Sequence, residues 1–381
     1  MRVTKLAIIG ASYLQLPLIE KAKSMGIETH VFAWAANDVG ETAADYFYPI
    51  SIVEKELILE QCVKLEINGI CSIASDLAMV TVNYVAARMG LIGNSLDCTQ
   101  KSTNKHLMRL AFEQNGDPSP KSLQVEGTGD LKDVHLCYPV IVKPVDRSGS
   151  RGITKLETES GLAEAIENAK TQGFEKTALV EEFAEGREYS VECISWEGKH
   201  HFLAMTQKYT TGAPGFVETG HLEPAPVSEP LLNRVKEIVF HALDSLGIRY
   251  GASHSELKID DSGRVVLIEI GGRMGGDLIG SDLVPLSTGV DYVKAVIDVA
   301  LGKKPDVYAQ ERKAAAVRFV FAQEDIDILN DIKRNHPQIL QKESVTSLFN
   351  HSVTDSSNRF GYYLLSSDNV SLLRHYMPIN K

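Results

Sequence analysis

Between residues 5 and 100 short apolar runs alternate with helical ones, and this rhythm restricts the chain more than any other feature. Residues 5–9 form an apolar run closed by Gly10, followed by a helical stretch from about residue 13 to 25. Residues 29–32 read as a second strand, 69–74 as another buried strand, and 78–89 as a helix that Ser75 or Asp76 could cap. Alternation of this kind builds a parallel sheet with helices on both faces. The first turn, Gly10-Ala11-Ser12-Tyr13-Leu14-Gln15, keeps one of the three glycines of a dinucleotide fingerprint, so a nicotinamide site is not expected.

A chain of 381 residues exceeds one ordinary core and predicts two or three domains. Its net charge of −11 opposes a nucleic-acid footprint, which needs a concentrated basic surface. An anionic nucleotide is not opposed, because a few local cations and N–H groups reverse the sign inside a cleft. Five scattered cysteines without a CxxC pair predict reduced buried thiols rather than a zinc cluster or disulfide framework. No apolar run is long enough for a membrane span or a leader, so the expected location is the cytoplasm.

Further along, small and polar residues at 91–104 suggest a domain junction, and residues 105–114 a helix ended by Asn115-Gly116-Asp117-Pro118. Residues 138–273 are strand-rich, with helices at 160–172 and about 229–246, and 290–301 is a further helix. The last 70 or so residues carry probable strands at 314–321 and 361–365 around a helical middle, a small α+β appendage.

The strongest chemistry lies in two segments, His254-Ser255-Glu256-Leu257-Lys258-Ile259 and Val265-Val266-Leu267-Ile268-Glu269-Ile270, separated by Asp260-Asp261-Ser262-Gly263. They predict an antiparallel hairpin, and a four-residue loop at 261–264 would set Glu256 opposite Glu269. Like charges across a ladder destabilise it. A divalent cation between the two carboxylates would offset that cost, and Mg²⁺ prefers one or two carboxylates plus phosphates and water. A solvated strand face, its acids pairing with Lys258 or Arg273, is the other reading. Gly271-Gly272-Arg273-Met274-Gly275-Gly276 follows at once. Glycines allow close backbone approach to a ligand, and Arg273 offers a donor fork for phosphate or carboxylate.

Upstream, Val140-Ile141-Val142-Lys143-Pro144 is a short strand ending in a lysine, with Ser148-Gly149-Ser150-Arg151-Gly152 just beyond. Lys143 can serve a phosphate as a point charge while the loop N–H groups form an anion nest; a plain hairpin turn is the alternative. No GxxxxGK[ST] is present, which excludes a P-loop. Val180-Glu181-Glu182-Phe183-Ala184 and Gly186-Arg187-Glu188 read as strand, break, strand, either a hinge offering its backbone to an adenine edge or an acidic surface hairpin.

In this order and spacing, with Lys105 after the polar junction, these segments resemble the ATP-grasp superfamily over roughly residues 5–305. The resemblance implies an α/β and α+β multidomain chain: a Rossmann-like parallel-sheet domain at 1–100, an ATP-grasp domain at 101–305 with a lid lobe at about 121–187, and a C-terminal α+β part at 306–381. It implies that Lys105 and Lys143 contact ATP phosphates under the loop of Ser148, Gly149, Ser150 and Gly152. Glu181, Glu182, Phe183 and Ala184 would hold adenine and Glu188 the ribose. Glu256 and Glu269 would bind Mg²⁺, with Mn²⁺ as a substitute, and Arg273 would stabilise the transferring phosphate.

Many members carry Asn two residues after the second metal acid, where this chain has Gly271. The Glu-Ile-Gly-Gly-Arg-Met-Gly-Gly form is similar to bacterial L-amino-acid ligases, as are Gly220-His221 ahead of Pro224-Ala225-Pro226 and Arg359-Phe360-Gly361-Tyr362. The implied reaction joins a carboxylate to an amine through an acyl phosphate. Holding both partners in one cleft contributes up to about 7–11 kcal/mol. His221 is the candidate for orienting substrate or stabilising the oxyanion, with a surface histidine in a loop as the alternative, and Lys208 and Glu218 are candidates for the pocket wall. Rival readings are a bicarbonate-using carboxylase or carbamoyl-phosphate enzyme, and a catalytically silent nucleotide-binding subunit. The implied partners are ATP and small carboxylate and amine substrates, with no nucleic acid and no membrane; apolar helices of the N-terminal domain could support a homodimer.

Overall fold

The computed structural model describes residues 3–147, 151–213, 215–310, 312–346 and 349–379. The first four strands, β1 (Lys5–Ile9), β2 (Glu28–Phe32), β3 (Tyr46–Tyr48) and β4 (Gly69–Cys71), make a parallel sheet in the order β3-β2-β1-β4. β1 and β2 are buried on both faces; β1 is a near-continuous apolar run, whereas β2 also buries the polar Thr29 and His30. The helices Leu16–Ser24 and Asp76–Met89 pack on this sheet, and Ser75 caps the second by accepting from the Ala78 N–H at 3.3 Å.

The expected junction holds a helix, Leu96–Thr103. Its polar composition hides it, but Ser95 caps it and Cys98, Thr99 and Ser102 face inward. The helix Lys105–Asn115 follows, and Gly116 ends it at φ 77°.

A second sheet of four strands lies within the span expected for the lid lobe: β5 (Ser122–Val125), β6 (Val140–Pro144), β7 (Thr154–Leu156) and β8 (Ala178–Glu182), in the order β5-β8-β6-β7. The helix Leu162–Gln172 covers one face of it. At the break after β8, Gly186 has φ 108°, and a Cβ there would stand 2.3 Å from the Ile259 carbonyl oxygen. Only glycine fits that crossing.

The third sheet is the largest. β9 (Arg187–Trp196), β10 (Lys199–Thr210), β11 (Glu218–Glu223), β12 (Gly251–Ile259), β13 (Val265–Gly271), β14 (Ala314–Phe319), β15 (Leu340–Val345) and β16 (Gly361–Ser367) run in the order β13-β12-β9-β10-β11-β14-β16-β15. The tail strands, expected as an appendage, therefore extend the central sheet, with β14 pairing directly to β11. The helix Glu229–Leu246 packs its apolar stripe of Val235, Val239, Ala242 and Leu246 beneath β9, β12 and β13. Among the described residues no helix is long and apolar enough to cross a membrane.

Candidate active site

The hairpin β12–β13 turns through residues 260–264, one residue more than the sequence reading allows for. Asp260 closes the turn, its carboxylate accepting from the N–H of Ser262 at 2.9 Å and of Arg264 at 3.0 Å. From Ile259↔Val265 to Leu257↔Leu267 the register is regular; it then shifts, and Glu256 pairs with Glu269. Carried on without the shift, the ladder would set Glu256 against Ile268 and turn Glu269 to the other face. The bulge at Ile268 thus brings the acids together. The Ile268 carbonyl accepts from Arg109 Nη2 at 2.6 Å.

Cations interleave with these acids. Lys105 Nζ lies 2.8 Å from Glu269 Oε1 and donates to the Arg147 carbonyl at 2.7 Å. Lys208 Nζ lies 2.5 Å from Glu256 Oε1, 3.0 Å from Glu188 and 3.7 Å from Glu218. Glu181 is shared by Lys143 at 2.5 Å and Arg109 at 2.9 Å. Burial pushes Lys208 down, but its three carboxylates outweigh that and raise it well above the usual lysine range. Burial lowers Lys143, and Glu181 does not fully restore it. For Glu218, burial and the nearby Asp277 outweigh Lys208 and lift the carboxyl to about 7.

Arg273 grips Asp76, at the start of the helix Asp76–Met89 on the parallel sheet, with Nε at 2.9 Å and Nη2 at 2.8 Å. Behind Glu256, His254 places Nε2 3.3 Å from its carboxylate and binds Glu192 through Nδ1. Glu192 is fully buried and also accepts from the Gly275 N–H at 2.9 Å. Burial works against a charged His254, and the carboxylates of Glu192 and Glu256 overcome it, raising the ring to about 9.

Glu256, Glu269, Lys105, Lys143, Lys208 and Arg273 border one cleft of about 1070 Å³, open mouth included, between the second sheet and the central one, while Arg109, Asp76 and Glu192 stand behind its wall. Among the described residues no three His, Cys, Asp or Glu side chains are gathered to hold a metal by protein atoms alone. Two facing carboxylates suit Mg²⁺, which completes its shell with phosphate and water oxygens.

The profile of the ATP-grasp domain family matches residues 136–282. The crystal structure of an L-amino acid ligase from Bacillus licheniformis superposes with a TM-score of 0.82 at 22% identity, covering 99% of this chain and 96% of that one. This chain has the ATP-grasp fold. Phosphoribosylglycinamide synthetase from Anaerococcus prevotii shares it, at a TM-score of 0.77 and 20% identity over 98% and 96% of the two chains. Alanine–anticapsin ligase of Bacillus subtilis (strain 168) is 27% identical over 308 residues, 71% of this chain and 64% of that protein. The chain thus spans just under two thirds of the curated relatives it matches first.

Within the ATP-grasp cleft the expected residues fall unevenly. Lys105, Lys143, Glu181, Glu182, Phe183, Ala184, Glu188, Glu256, Glu269 and Arg273 all border it. The Glu181 carboxylate is paired with both Arg109 and Lys143. Phe183 lies between Lys155 Nζ at 4.2 Å and Lys258 Nζ at 4.7 Å from its ring centre. Gly152 lies near the lid helix, against Gln172, while Ser148, Gly149 and Ser150 lie outside the described residues.

His221 is no surface loop residue. It is a strand residue of β11 with 0% exposure, opposite Lys208 in register and edge-on to Phe319 at 5.5 Å. Burial first, then Lys208 and Arg359, push the ring well below its usual range, so it is neutral. Neither ring nitrogen has a hydrogen-bond partner among the described residues.

Sequence reasoning missed Glu192, His254 and Arg109, and read Asp76 only as a cap. One signal existed: Glu192 is a lone acid within the otherwise apolar run Val191–Ile194, and a buried carboxylate there demands a partner.

Proposed function

We propose that this chain is an ATP-dependent ligase that joins a carboxylate, preferably of an amino acid, to an amine. The observation that carries this reading is the facing pair Glu256–Glu269, set among Lys105, Lys143, Lys208 and Arg273 in a single cleft. The relatedness to alanine–anticapsin ligase, whose name describes such a joining, supports it.

Lys105, Lys143 and Lys208 would take the phosphates of ATP as point charges, and Glu188 the ribose. Mg²⁺ held by Glu256 and Glu269 would neutralise charge on the terminal phosphates. Arg273 would bind the equatorial oxygens of the phosphoryl group as the substrate carboxylate oxygen attacks phosphorus and ADP leaves. The amine then attacks the acyl carbon and expels phosphate. His221, neutral behind Lys208, would support the cleft wall without adding a charge that opposes the amine's approach. Closure of the lid would exclude water from the mixed anhydride.

A phosphate-release screen with amino acids singly and in pairs, and with bicarbonate separately, tests the reading. Release should require a carboxylate and an amine together. Release on bicarbonate alone would replace it with a carboxylase.

A further inference from the structure

Gly271 stands where the ATP-grasp pattern more often has asparagine, two residues beyond the second metal-facing acid. The structure gives a local reason. A Cβ on Gly271 would lie 2.5 Å from Asp76 Oδ1 and 3.1 Å from Cζ and Nε of Arg273. The carboxylate of a residue from the first domain occupies the space that any side chain at 271 would need.

Asp76 is the first residue of its helix, but Ser75 does the capping, so both Asp76 oxygens are free for Arg273. The contact is two-pronged, through Nε and Nη2, and each side chain is only 14% exposed. A guanidinium has five N–H donors in one rigid plane. Asp76 takes one edge, and Arg273 still borders the cleft. A backbone bond from the Ala74 N–H to the Met274 carbonyl, at 3.1 Å, fastens the same loop to the same domain.

We propose that Asp76 is the positioning residue for Arg273, fixing the plane of its guanidinium from the first domain, and that glycine at 271 exists to admit its carboxylate. This rests on the ligase reading only for the role of Arg273 toward a transferring phosphoryl group. The first domain is then part of the catalytic apparatus, because one wall of the phosphoryl site depends on how it docks.

The test uses MgADP with and without aluminium fluoride, a mimic of the phosphoryl group in flight, on the full chain. Asp76→Asn should bind MgADP within about two-fold of the unaltered protein and lose about 10–100-fold of the tightening that fluoride brings, the usual cost of removing an orienting partner. Its kcat should fall by a similar factor at nearly constant KM for ATP. Gly271→Asn, which pushes into the Asp76 carboxylate, should reproduce both effects, and thermal melting checks that each variant is folded. Unchanged fluoride tightening in Asp76→Asn would overturn the inference, as would a parallel loss of MgADP affinity or an absence of tightening in the unaltered protein. Failure of every carboxylate–amine pair to release phosphate, with Asp76-dependent tightening intact, would instead sink the ligase reading alone.

Discussion

Glu256 and Glu269 face one another across β12 and β13 through one inserted residue, Ile268. The inserted residue also turns its carbonyl to Arg109, so the backbone irregularity is tied to the helix Lys105–Asn115. The acids' repulsion is met by Lys105 on one side and Lys208 on the other.

Replacing one member of the pair without changing its shape should therefore spare the fold and remove the chemistry. Glu269→Gln is expected to keep its thermal midpoint and lose on the order of 10²–10³-fold in turnover. Phosphate release beside a melting curve measures both. Turnover near that of the unaltered protein would remove Glu269 from the phosphoryl site.

Arg109 and Glu181 are 4% and 3% exposed, and Arg109 also holds the bulge carbonyl. Arg109→Met leaves Glu181 with Lys143 alone and frees the Ile268 carbonyl. Breaking a buried pair on one side costs roughly 3–5 kcal/mol. Urea unfolding should show a loss of that order; a loss under about 1 kcal/mol would mean that water or Lys143 compensates.

Glu223 on β11 is fully buried, receiving hydrogen bonds from Thr206 at 2.6 Å and Ser287 at 2.5 Å. Burial lifts its carboxyl to about 7, against the pull of both hydroxyls. The native group thus keeps its proton between about pH 4.5 and 7 while the unfolded one loses it. Its contribution to stability is fully present below that window and is lost as the pH rises through 7. Glu223→Gln does not titrate, so its stability relative to the unaltered protein should improve with pH, by up to roughly 3 kcal/mol between pH 4.5 and pH 8. Denaturant unfolding at the two pH values checks it. A difference that does not change with pH would contradict a buried neutral carboxyl.

Local patterns were legible wherever period and punctuation agreed. The helix Glu229–Leu246 begins and ends where its apolar stripe and Gly247 place it, and the hairpin of β12 and β13 follows from alternation around Asp260–Gly263. The facing of Glu256 and Glu269 was also expected, but through a four-residue loop; the fold uses five residues and a bulge. Contacts between distant segments were less readable. Asp76 with Arg273 and Glu192 with His254 join residues far apart in sequence, and no local pattern encodes either. The same holds for β14: its strand character is local, whereas its pairing with β11 is not.

That pairing has a consequence for biosynthesis. When β9 to β13 have emerged from the ribosome, β11 still shows an open row of amide and carbonyl groups beside β10, and its neighbour β14 is yet to be translated. Closing that gap is entropically slow, and an unpartnered strand is a template for intermolecular pairing. The nascent chain therefore passes through an interval in which its largest sheet has an edge open to pairing with other chains.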